Sequence, residues 1–65
     1  MKVLLKKVMH EKRISYRRLA ILTNIKRSTL HDIATEKTSP RLKDLEVIAE
    51  KLEVKITDLF ESPYK

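Results

Sequence analysis

The chain has 65 residues, enough for one small domain and too few for two independent cores. It contains no cysteine, which excludes disulfide bridges and thiolate metal sites. No apolar run approaches the ~20 residues of a membrane-spanning helix, and the first residues are too short an apolar stretch for a signal peptide. We therefore expect a cytoplasmic protein without a membrane partner.

The charge of the chain is unevenly distributed. The net charge is +6, but residues 1–41 hold 11 basic and 3 acidic residues, whereas residues 42–65 hold 4 basic and 6 acidic residues. A basic front half suits a polyanionic partner such as nucleic acid. Simple solubility is one alternative. An anionic membrane surface is a weaker one, because the few apolar residues of the first helix are needed for the core.

Composition and periodicity favour helices. The chain has no glycine, and a sheet with tight hairpins would need turn residues that are absent. Leu4, Leu5, Val8 and Met9 recur at helical spacing and predict a first helix over roughly residues 2–12.

The next two predicted helices are short and close together. Ser15 is a good N-cap for a second helix over roughly residues 16–23, and Asn24 tolerates the left-handed geometry of a helix end. A third helix follows over roughly residues 27–35, with Leu30 and Ile33 on its inner side. The two helices and their three-residue turn predict a helix-turn-helix motif.

The last third of the chain predicts two more helices. Thr38-Ser39-Pro40 is a start signal for a fourth helix over roughly residues 41–52, whose stripe from Leu42 to Leu52 should face the core. A fifth helix is predicted over roughly residues 56–61, ended by Pro63 and followed by a loose tail over residues 62–65. Four apolar residues could form a dimer seam: Val54, Ile56, Phe60 and Tyr64.

The outer face of the third helix carries the side chains that suit base reading. Arg27 can pair with guanine in two hydrogen bonds, and Asp32 can accept from a cytosine amino group or orient Ser28. We predict four base-reading residues: Arg27, Ser28, His31 and Asp32. We predict contacts to the DNA backbone from Tyr16, Arg17, Arg18, Lys26, Thr29, Thr35, Lys37 and Arg41.

Residues 14–60 resemble the phage-repressor and Cro-type (Xre-like) helix-turn-helix family. The residues that carry the resemblance are Ile14-Ser15, Leu19-Ala20, Ile25, Arg27-Ser28-Thr29-Leu30, Ile33, Lys37, Pro40, Leu42, Leu45, Ile48-Ala49, Leu52, Val54 and Leu59-Phe60. The resemblance implies an all-α, compact five-helix bundle of the lambda-repressor-like type, with the third helix in the major groove. It also implies a small transcriptional regulator, repressor-like, that binds double-stranded DNA as a homodimer on a two-fold symmetric operator.

The sequence departs from the family pattern at several positions. Tyr16 replaces the family's usual glutamine at the start of the second helix, where that glutamine supports a reading residue. The usual glycines fall at Asn24, Glu36 and Glu53, so the two glutamates must adopt left-handed geometry or sit in altered turns. Glu36 also places a negative charge near the expected DNA backbone.

Other functions find less support in the sequence. No paired carboxylates, activated nucleophile or phosphate loop is visible, and His10 and His31 lack partners at metal-ligand spacing, so we expect neither an enzyme nor a cofactor nor a metal. Asp32 and Glu36 leave open a protein partner instead of DNA, with the same fold serving as an antirepressor or antitoxin component.

Overall fold

A computed structural model describes residues 2–61 of the chain. Four α-helices make up most of this part, together with a short 3₁₀-helix and two short strands. In chain order they are β1 (Lys2–Val3), α1 (Leu5–Glu11), α2 (Tyr16–Thr23), α3 (Arg27–Ala34), α4 (Leu42–Leu52), the 3₁₀-helix (Ile56–Asp58) and β2 (Phe60–Glu61). Within residues 2–61, no helix has the length and apolar character needed to cross a bilayer.

The prediction of a five-helix bundle is wrong at both ends of the chain. The first helix begins at Leu5 because residues 2–3 form β1, and the fifth is a single 3₁₀ turn followed by β2. The strands pair antiparallel, with Lys2 opposite Glu61 and Val3 opposite Phe60. Because they come from opposite ends of the chain, no hairpin turn is needed, and the absence of glycine does not prevent this sheet. The predictions for Pro63, Tyr64 and the tail over residues 62–65 lie outside the described residues.

The core lies between the four helices, as the apolar periodicity predicts. Leu5 of α1, Leu19 of α2, Leu30 of α3 and Ile48 of α4 are fully buried, and Leu59 closes the core beside β2. Other residues of this core are Val8, Met9, Ile33, Leu45, Ala49 and Leu52. Burial of these side chains supplies the main stabilisation in a domain without disulfides.

The start of α4 differs from its prediction. Leu42, expected in the core, is 64% exposed, and the inward stripe begins one turn later at Leu45. Leu42 is the first helical residue, and side chains on a helix tilt toward its N-terminus. Its side chain therefore projects past the beginning of α4 instead of onto the core. The N-cap is Arg41, so Thr38-Ser39-Pro40 precede the helix without capping it directly.

Each of the four α-helices is followed, within two residues of its end, by a left-handed residue that is not glycine. Arg13, Asn24, Glu36 and Glu53 have φ between 55° and 62°. The expectation for Asn24 is confirmed, and the two glutamates take the left-handed alternative. Arg13 was not predicted to do so, since arginine is not a residue that favours this region.

Hydrogen bonds after these helices explain why the left-handed residues are tolerated. At the end of α4, the Glu53 amide donates to the Glu50 carbonyl and the Val54 amide to the Ala49 carbonyl. This pattern of two hydrogen bonds is the Schellman motif, which satisfies carbonyls that the helix would leave unpaired. The same pattern follows α1 around Arg13 and α3 around Glu36.

Candidate nucleic-acid interface

The geometry of the helix-turn-helix begins with the cap of α2. The hydroxyl of Ser15 accepts a hydrogen bond from the Arg18 amide at 3.1 Å, which confirms Ser15 as the N-cap. At the other end, the amide of Asn24 donates to the Ala20 carbonyl and the chain turns through left-handed geometry. The two caps fix where α2 starts and stops, and so where the turn delivers the chain to α3.

A buried threonine holds the turn itself. The Thr23 hydroxyl donates to the Leu19 carbonyl at 2.7 Å and accepts from the Ile25 amide at 3.3 Å, and Thr23 is only 8% exposed. It thus links the last turn of α2 to the chain entering α3. Sequence reasoning overlooked Thr23. The available signal was its spacing of four residues from Leu19, which places a polar side chain on the inner face of α2.

Helix α3 is anchored on its inner side and open on its outer side. Leu30 and Ile33 are 0% and 2% exposed, while Arg27, Ser28 and His31 are exposed and Asp32 is half-buried. The predicted division of this helix into an inner and an outer face is therefore confirmed. Lys26 precedes the helix without capping it through its side chain.

A shallow recess brings the outer face of α3 together with the start of α2. The recess has a volume of about 570 Å³. Tyr16 lines it together with all four predicted base-reading residues. The Tyr16 and His31 rings meet edge to face, with centroids 5.6 Å apart and planes at 64°. Tyr16 therefore supports a side chain of α3 through its ring, in the place where the family's glutamine would act through an amide.

The predicted backbone-contacting residues include five cations. Arg17, Arg18, Lys26, Lys37 and Arg41 are exposed, as a phosphate contact requires. Their positive charges lie on several elements, so they could meet phosphates on different sides of a groove.

Two threonines of the predicted set are placed differently from these cations. Thr29 is half-buried and lines a separate depression with Arg41, near the start of α4. The Thr35 hydroxyl donates to the His31 carbonyl at 2.8 Å, so only its oxygen lone pairs are available to another donor.

The carboxylate of Glu36, which the sequence placed near the expected DNA backbone, has a partner within the domain. Its carboxylate accepts a hydrogen bond from the Val3 amide at 2.6 Å, so it is engaged by β1. The side chain of Asp32 differs, since among residues 2–61 no side-chain hydrogen bond joins it to Ser28. Within the same residues no cluster of three or more His, Cys, Asp or Glu side chains could hold a metal ion.

Comparison with known proteins identifies the family of the chain. A sequence model of the Cro/C1-type HTH DNA-binding domain matches residues 4–63, nearly the whole chain. The protein belongs to this family of DNA-binding domains, and its helix-turn-helix consists of α2 and α3. No curated protein matches the sequence significantly.

Proposed function

We propose that this protein is a small, repressor-like transcriptional regulator of the cytoplasm that reads a specific sequence in double-stranded DNA. The observation that carries the proposal is the outer face of α3, where exposed polar side chains lie above the buried anchors Leu30 and Ile33. The major groove is ~12 Å wide and admits one α-helix. A helix held by its inner face and polar on its outer face meets that requirement.

The base-reading roles follow from the donors and acceptors on this face. Arg27, in the first turn of α3, would pair with guanine O6 and N7 through two hydrogen bonds. Ser28 and His31 would donate or accept at neighbouring base edges. Asp32 would accept from a cytosine amino group, a base-edge donor in the major groove that suits a carboxylate.

The flanking residues would position the domain without reading sequence. Lys26 and Lys37 lie just before and just after α3, and Arg17 lies in the first turn of α2. Such cations bind phosphates and release counterions, which makes affinity depend on salt. The full set assigned to the DNA backbone is Tyr16, Arg17, Arg18, Lys26, Thr29, Thr35, Lys37 and Arg41.

A homodimer on a two-fold symmetric operator completes the proposal. One domain offers a single eight-residue recognition helix, which contacts only a few base pairs. Two copies with half-sites about one helical turn apart, ~34 Å, would double the sequence that is read. The Glu36 carboxylate also favours DNA over a protein partner. Glu36 and Asp32 are the acidic pair that suggested an antirepressor or antitoxin. The carboxylate of Glu36 is engaged within the domain, by the Val3 amide.

Selection from random duplexes at moderate salt tests the proposal. We expect enrichment of one sequence with two-fold symmetry, and a complex mass of two chains per duplex. Failure to enrich any sequence would contradict specific reading. A complex of one chain per enriched duplex would contradict the dimer alone.

A further inference from the structure

We propose that the recess between α2 and α3 is a subsite for the 5-methyl group of a thymine. The inference rests on the proposed docking of α3 in the major groove. Thymine is the one standard base that presents a methyl group there, so an apolar recess among polar readers would add discrimination that hydrogen bonds alone do not provide.

Two aromatic rings form the apolar part of this recess. Tyr16, the first residue of α2, is half-buried, and its ring meets the ring of exposed His31 edge to face. Edge-to-face packing is a favoured arrangement of aromatic rings, so each ring restrains the other. The pair therefore offers a defined apolar surface at a position where a lone exposed His31 could rotate freely.

The surroundings of the ring pair point to a base edge as its partner. Arg27, Ser28 and Asp32 line the same recess, so donors and an acceptor border the rings. A thymine whose methyl group enters the recess would present its O4 acceptor close to these polar groups. Cytosine has no methyl group at this position and would leave the recess unfilled.

A different use of Tyr16 makes a distinct prediction. If only its hydroxyl contacts the DNA, through a phosphate, the ring of Tyr16 would have no part in sequence reading. Removing the hydroxyl would then weaken binding to all duplexes equally. The methyl subsite instead requires the ring and is indifferent to the hydroxyl.

The experiment replaces each thymine of the selected operator, one position at a time, by deoxyuridine, which lacks only the methyl group. We expect Kd to rise about four-fold at one thymine of each half-site, equivalent to ~0.8 kcal/mol for one buried methyl group, and to stay unchanged elsewhere. No thymine showing this sensitivity, on an operator that was successfully selected, would overturn the subsite and leave the proposed function intact. Failure of the selection itself would instead count against the proposed function.

Two variants assign the effect to the ring pair. Tyr16→Phe keeps the ring and should retain the difference between thymine and deoxyuridine, whereas His31→Ala should abolish it at that one position. His31 is exposed and alanine is a good helix former, so the variant should fold, which circular dichroism would verify. A difference that survives in His31→Ala, or one that disappears in Tyr16→Phe, would overturn the assignment.

Discussion

The backbone amide of Val3 and the carboxylate of Glu36 are joined by a 2.6 Å hydrogen bond across 33 residues of sequence. Glu36 follows α3, and Val3 belongs to β1, which pairs with β2. One side chain therefore connects the end of α3 to the sheet formed by both ends of the described chain. Glu36 makes this contact while its own backbone is left-handed, at φ 62°.

Comparison of two glycine variants isolates the contribution of this hydrogen bond. Glu53→Gly should raise the free energy of unfolding by ~0.5–1 kcal/mol, because glycine adopts left-handed geometry without the cost borne by other residues. Glu36→Gly removes the same backbone cost but also the hydrogen bond to Val3, so its free energy of unfolding should rise by less. Urea denaturation measures both. Equal gains would mean that the Glu36 carboxylate contributes nothing to stability.

Replacement of Thr23 should weaken the turn of the helix-turn-helix. Thr23→Val keeps the volume and removes both hydrogen bonds of the hydroxyl, leaving the Ile25 amide without this acceptor. We expect a loss of ~1–3 kcal/mol in the free energy of unfolding. Thr23→Ser, which retains the hydroxyl, is the control, and its free energy of unfolding should fall by less. A valine variant more stable than the serine variant would show that the hydroxyl is dispensable.

Truncation of a buried and an exposed leucine should have different effects on stability. Leu30→Ala should cost ~2–5 kcal/mol, because Leu30 is fully buried and its loss leaves a cavity. Leu42→Ala removes the same atoms from a side chain that is 64% exposed and should change stability little. Thermal unfolding of the two variants provides the measurement. Similar losses at both positions would contradict the placement of Leu42.

Sequence reading and phosphate contact should respond differently to mutation. Arg27→Ala should relax base preference at one operator position, with a loss of ~1–3 kcal/mol on the preferred sequence. Lys37→Ala should weaken all duplexes alike and reduce the slope of log K against log salt by about 0.9. Binding titrations on the selected operator and a scrambled duplex distinguish these patterns. Uniform loss in both variants would refute the role of Arg27.

The sequence predicts those parts of the fold that depend on local periodicity. The inner faces of α2 and α3 follow from apolar spacing, and the two ends of α2 follow from Ser15 and Asn24. The sheet could not be foreseen, because strands of two residues have no periodicity and their partners lie at opposite ends of the chain. Leu42 shows a related limit, since spacing cannot tell whether a side chain at a helix start reaches the core.

The candidate site was predictable as a set of residues but not as an arrangement. The outer face of α3 follows from its inner face, so the exposure of Arg27, Ser28 and His31 could be predicted. The contact between the Tyr16 and His31 rings depends on how α2 and α3 cross, and 15 residues separate the two in sequence. The sequence showed that Tyr16 replaces the family's usual glutamine, but it did not show which side chain the ring would contact.

The terminal sheet also has a consequence for the dynamics of the domain. Its strands lie at opposite ends of the described residues, and they contribute only two residues each. An element with few contacts and a partner distant in sequence should open by local unfolding, at a lower free energy than global unfolding. Hydrogen exchange at the Leu4 amide, which donates to the Leu59 carbonyl, would report that opening separately from the exchange of the helical core.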